Sequence, residues 1–394
     1  GDSKRAAALF EEARQASAAA GDRGGIARAL QRVGVLNYRQ GNLKEARTFV
    51  EQSLAIFRES GDEGGQAAAL NNLANIEGDA GAIDESLRTH ERVLELQRRL
   101  GNQRGVAGSL GNIASIFQYQ GDMAGSLRKH EESLAILREL GDKSAIAVEV
   151  NNMGRVLASQ GNLPGAQKMF EEALAIKKEI GNRGSMSFTL RDLGELRAAQ
   201  GDLAGGRQFL EESISIREEL GQAVRAAETR ISLAALANEE GKGAEAEALA
   251  RRALDVLVKE GLRDEHAFAL AALADALAAQ GKLDEARKTI ATAKTVSAKS
   301  DAAYVRFAVR LVAGRVAFAA GRFPETSREL RDALQEARRG GLYGEALEAR
   351  LALAQNDLRS GKAAAARQAL EGIETDARAK GFLGIAEKAS RARA

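Results

Sequence analysis

The side chains of this 394-residue chain that could do chemistry are three histidines, several paired carboxylates, and asparagines and arginines at regular intervals. His90 and His130 lie 40 residues apart and each precedes a glutamate, a spacing that a metal pair or catalytic dyad could use. One period away, however, the same place holds Val50 and Phe170, so both histidines are read as packing residues. His266 stands alone. Carboxylate pairs such as Glu131 and Glu132 recur as helix-surface residues, which argues against general acid–base work. Gly105, Gly108 and Gly111 follow no strand and so make no phosphate loop. The cysteine count is 0, which excludes disulfides, thiolate zinc sites and a cysteine nucleophile. We expect no catalytic residue, no metal and no cofactor, and hence not an enzyme.

The asparagines and arginines suggest recognition. An asparagine amide both donates and accepts, so it can bracket a peptide bond without reading a side chain. Asn72 and Asn75 are three residues apart, which on a helix places them on one face. Asn112 and Asn152 repeat Asn72 at steps of 40. Arg32, Arg155 and Arg191 could grip a carboxylate through two N–H groups.

A strict period positions these residues. Glycine occupies every twentieth position from Gly21 to Gly381 except at Asp301. Glycine reaches the left-handed conformation that ends a helix without a Cβ penalty. In the first half Asp or Asn usually follows: Asp22, Asn42, Asp62, Asn102, Asp122, Asp142, Asn162, Asn182 and Asp202. These residues favour N-caps, and Asn42 with Glu45 is expected to form an Asn-capped capping box. Between glycines, apolar residues such as Leu163, Ala166, Phe170 and Ala173 fall at helical spacing. Each unit therefore predicts one helix of roughly 16 residues, and two units, helices A and B, make a 40-residue repeat. Asn72-Leu73-Ala74-Asn75 matches Asn112-Ile113-Ala114-Ser115, and Glu51-Gln52-Ser53-Leu54 matches Glu131-Glu132-Ser133-Leu134.

Composition agrees. Hydrophobic residues at 44% and charged residues at 28% fit a globular chain, and only 2 prolines interrupt it. A net charge of +2, from 57 basic and 55 acidic residues, argues against a dedicated nucleic-acid binder. No apolar run approaches the roughly 18 residues that span a membrane. A cytoplasmic location is expected.

The chain resembles a tetratricopeptide repeat array in its 40-residue form. Small residues lie eight places into helix A, from Gly34 and Ala74 to Ala354, and again five places past the A–B glycine, from Ala46 and Ser86 to Ala366. The Asn72–Asn75 segment resembles those of Pins-like adaptors, and the array also resembles bacterial signalling modules, including the sensor region of the maltose-regulon activator. The resemblance implies an all-α, right-handed superhelical solenoid of about nine antiparallel helix pairs with terminal helices. It also implies that the A helices line a concave groove, with Arg32, Asn72, Asn75, Asn112, Tyr119, Asn152, Arg155 and Arg191 facing a peptide. In such an array each repeat touches only its neighbours, so stability should be roughly additive.

The expected division is a capping helix over 1–21, regular Asn-rich repeats over 22–220, divergent Ala- and Arg-rich repeats over 221–380, and a capping helix over 381–394. Beginning at Gly1 in mid-repeat, the chain reads as part of a longer protein. The function expected is a scaffold that binds a protein or peptide partner, with room for fusion to, or docking on, other signalling domains. The alternative is a ligand- or peptide-sensing regulatory domain of a larger bacterial signalling protein.

Overall fold

The structure, a computed structural model, describes residues 2–300, 302–339, 342–380 and 382–394. Every regular element among them is an α-helix, twenty in all. An opening helix α1 (Asp2–Ala19) and a closing helix α20 (Leu383–Arg393) flank nine pairs. The A helices are α2 (Arg23–Arg39), α4 (Glu63–Asp79), α6 (Gln103–Tyr119), α8 (Lys143–Ser159), α10 (Arg183–Ala199), α12 (Ala223–Glu239), α14 (Arg263–Ala279), α16 (Ala303–Ala319) and α18 (Tyr343–Arg359). The B helices are α3 (Leu43–Glu59), α5 (Ile83–Arg99), α7 (Met123–Glu139), α9 (Leu163–Glu179), α11 (Leu203–Glu219), α13 (Gly243–Glu260), α15 (Leu283–Ser297), α17 (Phe323–Arg339) and α19 (Ala363–Ala379). Each helix packs on the next in sequence, and successive A helices such as α12, α14 and α16 also touch, which makes them the inner layer. No described helix is long and apolar enough to cross a membrane.

The joint between α3 and α4 shows how the period works. Gly61 has φ +71°, in the left-handed region. Its N–H donates to the Arg58 carbonyl at 3.2 Å, and the Asp62 N–H donates to the Phe57 carbonyl at 3.0 Å, closing the last turn of α3 in a Schellman motif. Asp62 then opens α4, its Oδ1 accepting from the Gly65 N–H at 2.8 Å. Every described glycine of the series has φ between +64° and +87°. Gly341, Gly381 and the exceptional Asp301 lie outside the described residues. Beside that last joint, side chains bind backbone carbonyls that follow the end of α15. Arg306 donates to the Ser300 carbonyl at 2.6 Å and Arg263 to the Lys299 carbonyl at 3.0 Å.

Asp22, Asn102, Asp122, Asp142, Asn162, Asn182 and Asp202 cap their helices as Asp62 does. Asn42 does not, and the expected capping box with Glu45 is absent. Its Oδ1 instead accepts from Arg263 Nη2 at 3.2 Å, 221 residues away. The superhelix therefore touches itself from one turn to the next. A Cβ on Gly41 would come within 3.0 Å of the Asp264 carboxylate, and one on Gly121 within 3.0 Å of the Tyr343 ring. Met123 and Val156 share an apolar cluster with Leu347 and Phe382. Repeats thus contact more than their neighbours, contrary to the expectation that each would touch only the next. The expectation failed because a sequence period encodes the neighbour interface, whereas contact between turns depends on the accumulated curvature of many repeats.

Within each pair the small residues mark the crossing. Ala46, Ala74, Ala166, Ala246 and Ala286 have no exposed surface. At the α10–α11 crossing, a Cβ on Gly194 would meet the Gly206 carbonyl oxygen at 2.9 Å. The serine of the repeated B-helix segment ties its helix to the preceding A helix. Ser53, Ser133 and Ser213 are buried and donate to the carbonyls of Ala27, Ala107 and Ser187 at 2.7–3.0 Å. A buried hydroxyl so paired escapes the desolvation penalty of an unmet donor.

Two glycine-to-alanine changes separate joint from helix. Gly141 has φ +64° and open space around it, so Gly141→Ala is expected to destabilise by about 1–2 kcal/mol through backbone strain alone. Gly372 lies inside α19, also in open space, so Gly372→Ala is expected to stabilise by about 0.5–1 kcal/mol. Urea unfolding of both variants checks the pair, and shifts of the same sign would contradict the account.

Candidate functional site

Because the 40-residue period is kept throughout, residues 40 apart face the same way, and certain A-helix positions line the interior of the winding. Polar bonds stitch these helices together at a spacing of 41. Tyr38 donates to Asp79 Oδ2 at 2.7 Å, Asn112 to Asn71 Oδ1 at 2.8 Å, Gln118 to Ser159 Oγ at 3.0 Å and Asn151 to Asp192 Oδ2 at 2.7 Å. Burial raises the Asp79 carboxyl and pushes the Tyr38 phenol far up, the carboxylate beside it adding to the effect.

The sequence-predicted site residues do not form one cluster. Tyr119, Asn152 and Arg155 come together in a cavity of about 870 Å³ between α6 and α8 on one side and α18 and α20 on the other. Ser115 and Gln118 join them, and Glu345, Glu348, Phe382 and Lys388 face them. Among the described residues, the side chains of Asn152 and Arg155 make no hydrogen bond or ion pair within the chain. Burial raises the carboxyls of Glu345 and Glu348, and Arg315 and Lys388 partly offset this at Glu348. Tyr119 keeps 48% of its surface exposed, inside the winding. Arg32, Asn72, Asn75, Asn112 and Arg191 lie outside this cavity. Arg32 is exposed, and Asn72 and Asn75 are half-buried on α4. Asn112 is already engaged by Asn71. Arg191 sits 3.9, 3.7 and 4.0 Å from Asp192, Glu195 and Glu228, so carboxylates already surround it, although its buried Nε makes no hydrogen bond among the described residues.

A buried cationic layer supports α8 and α10. Lys177 Nζ donates to Thr189 Oγ1 at 2.6 Å and Asn151 Oδ1 at 3.3 Å, and burial lowers its pKa to about 8. Arg217, also in the core, lies 4.7 Å from the Phe188 ring centre and donates to the Arg225 carbonyl at 2.6 Å. The same register is apolar at Phe57, Leu137 and Leu257, so these two cations are local departures with polar partners.

Sequence reasoning missed a second hollow, of about 310 Å³, among α12, α14 and α16. Its walls include Ile231, Phe268, Ala272 and Val312, with Glu228, Glu265, Asp275 and Arg315 around them. The signal lay in the register: the positions of Asn71, Asn72 and Asn75 become Ile231, Ser232 and Ala235 in repeat 6, and Ala271, Ala272 and Asp275 in repeat 7.

Both paired histidines are core residues, His90 2% exposed and His130 not at all. His130 Nδ1 is 2.9 Å from Glu149 Oε1. Burial lowers the His90 pKa to about 4. Among the described residues no group of three or more His, Asp or Glu is placed to hold a metal ion.

Comparison with known proteins follows the same geometry. The family model described as the MalT-like TPR region matches residues 110–384. The model described as the tetratricopeptide repeat matches residues 1–59 and 65–139. Curated proteins yield no match. Among solved structures, a signal-transduction ATPase with numerous domains that carries a tetratricopeptide repeat sensor, from Pyrococcus horikoshii, is 14% identical with a TM-score of 0.52. The similarity covers 80% of this chain and 50% of that one. A Rap protein complexed with competence and sporulation factor is 13% identical with a TM-score of 0.51, over 71% of this chain and 78% of that one. At these identities the likeness is one of fold.

His90 yields a pH prediction. Its folded pKa lies below the unfolded value, so the unfolded chain takes up a proton first as pH falls from 6.5 to 4. Relative to a His90→Leu variant, which matches Leu210 and Leu330 in register, the parent is expected to lose on the order of 3 kcal/mol across that window. Denaturant unfolding of both at pH 7 and pH 4 measures it, and a constant difference would contradict the assignment.

Proposed function

The chain belongs to the MalT-like TPR family, and we propose that it is a protein-interaction scaffold that receives a segment of a partner protein or peptide inside its winding, in the cytoplasm. The observation that carries this reading is the cavity in which Asn152 and Arg155, whose side chains make no hydrogen bond or ion pair among the described residues, converge with Tyr119. An amide that can donate and accept suits a peptide backbone, and the guanidinium suits a carboxylate. Asn72 and Asn75 extend the same helix-A register toward the first repeats, so an extended segment could continue along α4. The Rap protein, similar in fold, is seen in complex with a factor, which is compatible with ligand binding by an array of this kind. The regular repeats would form the binding half and the divergent repeats the wall opposite.

A second reading, a ligand- or peptide-sensing regulatory domain of a larger signalling protein, draws on the contact between turns. A ligand in the cavity would touch α6 and α8 from one turn and α18 and α20 from the next, so binding would bear on curvature. The sensor-bearing ATPase of similar fold fits this reading.

The test is capture from the lysate of the source cells by the intact chain and by a variant with Asn72, Asn152 and Arg155 all changed to Ala. A partner captured by the parent is expected to bind the variant at least tenfold more weakly, a loss of about 1.4 kcal/mol, with thermal unfolding unchanged. Equal capture by a folded variant would refute the site.

A further inference from the structure

We propose that the hollow among α12, α14 and α16 is a second recognition site, which takes a bulky apolar side chain of a partner polypeptide with a lysine or arginine beside it. The proposal rests on the reading of the inner face as a polypeptide-binding surface, but not on the asparagine track. Three observations carry it. First, the hollow exists because small residues, Ala235, Ala271, Ala272 and Ala308, stand among larger apolar ones, Ile231, Phe268 and Val312. An apolar hollow of about 310 Å³ is of the size that holds one compact organic group. Second, its charges are acidic and unevenly met. Arg225 holds Glu228 at 2.9 Å and Arg315 lies 3.7 Å from Asp275, whereas Glu265 has no ion pair among the described residues. Burial holds the Glu265 carboxyl above its usual range; its own backbone N–H and Arg225 offset this in part, the like charges of Asp264 and Glu228 add to it, and a cation placed beside it would be favoured. Third, the wall includes Asn238, whose Oδ1 is buried and accepts no hydrogen bond. An apolar hollow with a carboxylate that makes no ion pair among the described residues and an unmet amide acceptor complements an apolar group that carries N–H donors and positive charge. The hollow is lined only by A helices, whose register continues into the asparagine track, so a side chain seated there leaves its backbone free to run along the inner face.

The probes are dye-labelled 12-residue peptides of Gly and Ser with a central Phe-Lys, Phe-Glu or Ala-Lys pair, titrated against the full chain by fluorescence anisotropy. The Phe-Lys peptide is expected to bind at least tenfold more tightly than either of the others. Ala235→Phe, at an exposed position that fills the hollow, is expected to abolish that binding. Glu265→Gln, nearly isosteric, should remove the preference for Lys over Glu, which keeps the test valid if the first variant does not fold. The variant with Asn72, Asn152 and Arg155 changed to Ala should bind the Phe-Lys peptide as the parent does, so failure of the first site and failure of this one are distinguishable. Equal binding of Phe-Lys and Ala-Lys peptides, or unchanged binding after Glu265→Gln, would overturn the proposal. Phenethylamine competing at the same concentration as the Phe-Lys peptide would overturn the assignment to a polypeptide.

Discussion

A helix that must stop and reverse within three residues constrains everything else in this protein. The last turn can close its carbonyls only if the chain enters the left-handed region, where a Cβ costs free energy. Glycine meets that demand, and in the first half the next residue caps the following helix. Almost every helix is therefore the same length, and the described glycine joints share one backbone conformation. Uniform joints make equal registers face equal directions, so side chains scattered over hundreds of residues line one inner surface.

The winding brings that surface back upon itself. Asn42 gives up its capping bond to accept from Arg263, and Phe382 packs with Met123 and Val156. Polar bonds between successive A helices add rigidity along the inner wall. The result is an enclosed groove, with the asparagine-bearing helices facing the closing ones. Such enclosure suits ligands that must be surrounded, and it couples distant repeats that a linear array would leave independent.

Much of this was legible in the sequence. The glycine period marked the joints, the small residues marked the helix crossings, and eight of the nine expected Asp and Asn caps form. Asn42 escaped because a capping residue reads the same whether it binds its own helix or a guanidinium from the next turn. Arg191 and Asn112 look like free recognition groups in sequence, yet nearby carboxylates and Asn71 engage them. The hollow among α12, α14 and α16 was hidden because its alanines read as composition. Only when their register is set against the asparagines of earlier repeats does the change of the inner face from polar to apolar stand out.

The central claim is that partners enter the interior of the winding. The most direct test installs a photo-crosslinking amino acid at Tyr119, inside the cavity, and separately at Glu131, exposed on the outer helix α7. The account predicts that illumination in the source cells joins a partner protein to the chain labelled at Tyr119 and not to the chain labelled at Glu131. A partner trapped only from the outer position would contradict it.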